Sequence, residues 1–131
     1  MDLVDCGVIR AVIESGPQEI ADTTVYTKWS TLRPIERAHA RGLKIFGATM
    51  TPFEGDRLWT QAGEDTRKAV NEWIRTSKAY DGVFDFDAAV RNPEAPTKLL
   101  GKYDPGDHLH LNAAGYEVMA NSIDLNRFRA P

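Results

Sequence analysis

Three β-prone runs separated by two amphipathic helical stretches constrain this chain more than any other feature, because strands joined through helices pair in parallel. Val8 to Ile13 is β-branched and compact, and Glu14-Ser15-Gly16-Pro17 stops it, which predicts a buried strand ending in a loop. From Asp22 or Thr23 a helical pattern runs through Trp29, Leu32, Ile35, Ala38 and His39 to Arg41-Gly42, with Pro34 its weak point. Residues 43–49 read as a second strand, closed by Thr51-Pro52. Residues 64–78, with Ala69, Val70, Trp73 and Ile74 at helical spacing, read as a second helix, and residues 83–86 as a third strand. The expected fold class is α/β, with a short parallel sheet of three strands and flanking helices.

The segment from Asp87 to Leu111 differs in kind: it is rich in Pro, Gly and Asp and carries no apolar period, the pattern of a functional loop. Asn112 then caps a last helix running towards Ile123. Trp29, Trp73 and Tyr116 fall on apolar helix faces and are expected in the core.

Composition narrows the partners. A length of 131 residues with 42% hydrophobic content suits one domain. A balance of 16 basic against 19 acidic residues gives a net charge of −3 and no general attraction to phosphate backbones, so nucleic acid is not an expected partner. Cys6 is the single cysteine and has no internal partner for a disulfide. No apolar run is long enough for a membrane span, and Met1-Asp2-Leu3 opens without a basic segment, so a cytoplasmic location is expected for the sequence as written. A longer parent could carry a secretion signal upstream.

In a parallel α/β sheet the ligand site lies beyond the carboxyl ends of the strands, where residues 14–20, 49–58 and 87–112 should meet. The richest cluster there is Asp104-Pro105-Gly106-Asp107-His108-Leu109-His110. Two His and two Asp in this stretch suit either general-base chemistry or turn formation with solvated histidines. A metal site lacks a further ligand set, and no cofactor is expected. Asp107 lies three residues before His110, close enough to accept from its Nδ1 and fix its tautomer. The nearest hydroxyl by position is Ser15, which otherwise reads as a turn residue bonding backbone; water activated directly by the pair is the alternative nucleophile. Thr49 and Thr51 sit at the neighbouring strand end with the poorer access of β-branched residues, whereas Ser30, Ser77 and Ser122 fall on helices. Phe53, Leu58 and Trp59 could line an acyl pocket or cover the sheet, and Glu54, Asp85 and Asp87 place further carboxylates near the site, as a glycosidase would need.

Asp107-x-x-His110 followed by Asn112-x-x-Gly115-Tyr116 resembles the last motif of the SGNH (GDSL-type) hydrolases. Residues 38–53, Val70-Asn71-Glu72-Trp73-Ile74-Arg75-Thr76, Asp85 to Arg91 and Tyr103 to His110 look like the carboxyl-terminal half of that family's domain, with the likeness running from about Gly7 to Ile123. The resemblance implies a flavodoxin-like three-layer α/β/α fold, truncated at its N-terminus to a single partial domain spanning residues 1–131. It also implies ester hydrolysis through an acyl-enzyme, with Asp107 and His110 completing a triad.

The chain departs from the family's pattern in four places. It has no Gly-Asp-Ser tripeptide and no second-motif glycine, Gly16-Pro17-Gln18-Glu19 stands where Gly-x-Asn-Asp is usual, and Leu111 stands where proline usually follows the histidine. Gln18 can still offer an amide N–H to an oxyanion, with Gly16 beside it. A binding module derived from such a hydrolase, without turnover, is the alternative function. In the family's strand order, Val8 to Ile13 would lose the neighbour that carries the serine, leaving an apolar edge interrupted only by Arg10. That edge predicts a homo-oligomer formed through residues 8–13.

Overall fold

The computed structural model describes residues 32–128. Residues 32–39 are helical (α1), followed by strand β1, Phe46–Ala48; helix α2, Gln61–Thr76; strand β2, Gly82–Phe84; and helix α3, Phe86–Val90. A 3-10 turn at Gly101–Tyr103, helix α4 at Ala113–Asn121 and a second 3-10 turn at Leu125–Phe128 complete the order. The strands pair in parallel with Phe46 opposite Gly82 and Ala48 opposite Phe84, so the strand–helix–strand unit expected around α2 is formed. The described sheet has two strands; the strand expected at residues 8–13, the start of the first helix, Cys6, Trp29 and Ser30 lie outside the described residues. No helix of the described residues is long and apolar enough to cross a membrane.

Side-chain caps move several boundaries from where periodicity alone puts them. Helix α2 starts at Gln61 rather than residue 64 because Thr60 accepts from the Gly63 N–H at 3.0 Å, and it ends at Thr76, two residues before Lys78 turns to a φ of 57°. The third β-prone run stops at Phe84, since the Asp85 carboxylate accepts from the Ala88 N–H at 3.1 Å and starts α3 one residue later. Phe86, expected in the strand, is therefore helical. The segment 87–111 is not structureless: α3, an antiparallel bridge between Arg91 and Leu99, and the Gly101–Tyr103 turn fill it. Its Val90, Leu99, Tyr103 and Leu111 form a buried cluster against which Val118 and Met119 of α4 pack.

Helix α4 meets that cluster through Gly115, where an added Cβ would lie 3.0 Å from Leu111 and Tyr103. Turning the Gly115 face inward turns Tyr116 outward, and Tyr116 is 53% exposed rather than core. Trp73 is half-buried and packs edge-on to Tyr80, with ring centroids 6.0 Å apart. Phe46, Phe84 and Phe128 pack on one another at 4.6 to 5.8 Å between centroids, which brings the Leu125–Phe128 turn onto the short sheet.

A buried charge cluster ties the carboxyl ends of the strands to α2. Arg67 donates from Nε and Nη2 to both oxygens of Glu64, at 2.8 and 2.7 Å, and from Nη1 to Asp87 at 2.6 Å and the Met50 carbonyl at 2.9 Å. Asp87 also accepts from Arg75 at 2.7 Å and Arg91 at 3.0 Å. Burial opposes the charge on Arg67, but the bonds from Glu64 and Asp87 outweigh it and raise its pKa. Asn71 clamps the Met50 peptide from both sides, accepting from its N–H at 2.7 Å and donating to its C=O at 2.8 Å. Removing one partner of such a buried ion pair leaves an uncompensated charge, which costs about 3–5 kcal/mol. Arg67→Met should therefore lower unfolding stability by about 3–5 kcal/mol in urea denaturation; a loss under about 1 kcal/mol would show that the cluster is not what fixes these ends.

Candidate active site

The loops that leave the carboxyl ends of β1 and β2 define the candidate site. The first, residues 49–60, is tied to the second by Glu54, whose N–H donates to the Thr97 carbonyl at 2.9 Å and whose carboxylate accepts from the Thr97 hydroxyl. That hydroxyl is the chief cause of a lowered Glu54 pKa, and Lys98 adds to it from 3.6 Å.

Asp107 and His110 come together in the turn before α4. Oδ2 of Asp107 lies 2.6 Å from Nδ1 of His110, while Oδ1 accepts from the N–H groups of Leu109 at 3.0 Å and His110 at 2.9 Å. One carboxylate thus shapes the turn through Oδ1 and holds the ring through Oδ2. The His110 bond, followed by the two peptide N–H groups, lowers the Asp107 pKa to about 2. A carboxylate ionised at neutral pH can only accept, so the hydrogen between them is on Nδ1 and neutral His110 carries its lone pair on Nε2. The His110 side chain is 66% exposed and that of Asp107 49%.

A second pair of the same kind lies alongside. Oδ2 of Asp104 is 2.6 Å from Nδ1 of His108, and Oδ1 accepts from Gly106 N–H at 2.7 Å and His108 N–H at 3.1 Å. Partial burial works against ionising Asp104, but the Gly106 and His108 bonds outweigh it and its pKa is lowered. His108 has a φ of 62°, and its ring rests on Gly55, where an added Cβ would come within 2.8 Å. Sequence spacing singles out only the Asp107 pair. The Gly55 contact has no signal beyond a glycine between two acidic residues, which reads as an ordinary turn.

The other sequence candidates separate clearly. Ser15, Gly16 and Gln18 lie outside the described residues. Thr49 is buried at 4% exposure, donating to Asp85 at 2.8 Å and accepting from the Asp87 N–H at 2.9 Å, so its hydroxyl is committed to the fold. Asp85 is engaged by both Nε and Nη2 of Arg75 at 2.8 Å, which chiefly lowers its pKa to about 2. With Asp85 and Asp87 bound to arginines and Glu54 to Thr97, the carboxylates a glycosidase would need are structural. Leu58 is 53% exposed, and Phe53 and Trp59 are half-buried. Among the described residues no group of three or more His, Cys, Asp or Glu side chains converges as metal ligands would. Leu111, in place of the proline that the resemblance anticipates, is buried in the cluster with Tyr103 and anchors the turn.

Parallel strands linked by a helix, with a carboxylate-held imidazole in the loop beyond their carboxyl ends, give this protein an α/β layout. The profile of the GDSL-like Lipase/Acylhydrolase family matches residues 19–118, and the chain belongs to that family. The match takes in both Asp–His pairs and begins beyond Ser15, Gly16 and Gln18. No curated protein matches the chain.

The depressed Asp107 pKa fixes the sign of its pH dependence: the carboxylate contact is fully present above the ordinary aspartate range and is lost only as pH falls through about 2. In a carboxyl 13C NMR titration, Asp107 should still be ionised at pH 4, where an ordinary aspartate is about half protonated. His110→Ala should move its midpoint up towards the ordinary value. A midpoint near 4 in the parent protein would mean that the pair does not form in solution.

Proposed function

We propose that this protein hydrolyses small carboxylic esters, with His110 as general base and Asp107 as its orienter. The observation that carries the reading is the 2.6 Å Asp107–His110 contact, which fixes the tautomer and leaves Nε2 available, within a GDSL-like chain. Family membership supports ester or acyl hydrolysis in general. In the proposed reaction His110 Nε2 takes the proton of a hydroxyl as its oxygen attacks the ester carbonyl. The tetrahedral intermediate collapses with loss of the alkoxide, which receives that proton from the imidazolium. Ser15 is the proposed hydroxyl, with an acyl-enzyme then hydrolysed by water; otherwise water attacks directly. Gly16 and Gln18 are proposed to face the oxyanion.

The finer architecture belongs to the same proposal. A three-layer flavodoxin-like arrangement is the proposed setting of the two described strands. A homo-oligomer formed through residues 8–13, which lie outside the described residues, is part of the same proposal. A −3 net charge disfavours nucleic acid as a partner, and a cytoplasmic location suits the single cysteine.

His110→Ala should remove orders of magnitude of p-nitrophenyl acetate turnover, and Asp107→Asn up to about 10⁴-fold, with circular dichroism unchanged. Both sites are exposed, so wild-type rates in both variants would reject the pair as the catalytic base. The missing Gly-Asp-Ser tripeptide favours the competing reading, a binding module without turnover. A fluorophosphonate that labels Ser15 supports the acyl-enzyme, turnover without labelling supports direct water attack, and neither labelling nor turnover supports the binding module.

Light scattering coupled to size exclusion should show a dimer or larger assembly. A monomer throughout a concentration series would reject pairing through residues 8–13.

A further inference from the structure

Two carboxylate–imidazole pairs occupy Asp104 to His110, and the reaction above uses one. The unused pair sits closer to the fold: the Asp104 side chain is 12% exposed against 49% for Asp107. Its carboxylate gathers three donors, Gly106 N–H, His108 N–H and the His108 ring, so residues 104–108 close on themselves around Asp104. His108 holds a left-handed backbone, which for a residue with a Cβ persists where surrounding contacts impose it. The imposing contacts are the Asp104 carboxylate on one side and the bare Gly55 backbone on the other. Gly55 in turn follows Glu54, which is bound to Thr97 by backbone and side chain. Asp107 therefore lies inside a loop clamped at Asp104 and His108, and His110 follows two residues beyond the clamp.

We propose that His108 is a positioning residue: with Asp104 it seats the loop on Gly55 and thereby sets the orientation in which Asp107 holds His110. The inference rests on the reading of Asp107–His110 as orienter and base. It distinguishes two histidines of the same sequence neighbourhood by role, one acting on substrate through Nε2 and one acting through the backbone it fixes. It also gives Gly55 a function, since any side chain there would push the His108 ring from its seat and strain a φ of 113°.

The test compares His108→Asn, which tolerates positive φ and retains a side-chain donor for Asp104, with His108→Val, which does neither. Gly55→Ala perturbs the same contact from the opposite side. The 15N shifts of the His110 ring report its tautomer, and kcat and KM are measured with p-nitrophenyl acetate. In His108→Val and Gly55→Ala the His110 shifts should move towards the tautomer mixture of free imidazole. kcat should fall on the order of 10²-fold with KM little changed, as expected for a misplaced catalytic group. His108→Asn should recover the parent shifts and most of the rate. Unchanged His110 shifts in both damaged variants would overturn the proposal, and so would a His108→Asn variant as impaired as His108→Val, since that would assign the imidazole itself to the chemistry. If the parent protein turns over no ester, the ester-hydrolase reading fails, while the His110 shifts still decide whether His108 positions the ring.

Discussion

The bidentate Arg67–Glu64 pair and the 2.6 Å Arg67–Asp87 contact are the interactions on which the described structure depends. Strands of three residues each supply few ladder hydrogen bonds, and the aromatic stack around Phe84 lies against the sheet without fixing how its ends run. Arg67 reaches from α2 to the Met50 carbonyl beyond β1 and to Asp87 beyond β2, so one guanidinium ties both strand ends to the helix between them. Its planar fork makes four hydrogen bonds at once to two carboxylates and a carbonyl, one more than a lysine has donors for. Buried ion pairs are weak sources of net stability, because desolvation offsets much of the attraction. What this one supplies is register: Glu64 travels with Arg67 on α2, so a slide of one turn would carry the pair away from the Asp87 carboxylate and the Met50 carbonyl that Arg67 bridges.

The opposite ends of the strands are fastened differently. Asp81, just before β2, accepts from the Ile45 N–H at 2.7 Å and lies 2.9 Å from His39 Nε2, and these two bonds, the peptide one first, lower its pKa. Here the groups are exposed, so the contact is open to solvent and salt. The sheet is thus held by exposed polar contacts where α1 enters and by buried charge where the loops leave. The end held by buried charge is the end that carries the Asp107–His110 turn.

Sequence made the order of elements legible because periodicity reports one-dimensional facts. Alternating β-prone and helical runs marked β1, α2, β2 and α4, and Asn112 was readable as a cap. Pairing across the fold left no such trace. Glu64 and Arg67 have the spacing of a solvated helix pair, and only the three-dimensional position of Asp87 makes them buried. Asp85 looked like part of an aromatic strand, yet its carboxylate serves as a helix cap and an arginine partner together. The 87–111 segment looked loop-like because its apolar residues Val90, Leu99, Tyr103 and Leu111 are too widely spaced for any local period, although they converge in one cluster. In the candidate site, the Asp107–His110 spacing is visible in the sequence, whereas the contact of His108 with Gly55 needs the three-dimensional structure.

These layers connect in one direction. The Arg67 cluster and Asn71 fix the Met50 peptide, which fixes where the chain leaves β1; Glu54 then binds Thr97, and Gly55 offers its bare backbone to His108. Leu111 and the Asn112 cap, which accepts from Gly115 N–H at 3.1 Å and donates to the Lys102 carbonyl at 2.9 Å, hold the far side of the same turn. An exposed imidazole has the rotamer freedom of any surface side chain, so its geometry has to come from the backbone that presents it. Here that backbone is gripped at Asp104 by its own carboxylate turn, at His108 by Gly55 and at Leu111 by the apolar cluster. The exposure that leaves His110 Nε2 open to solvent is compatible with a defined direction because Asp104, His108 and Leu111, on either side of it in the turn, are fixed by contacts that do not involve His110.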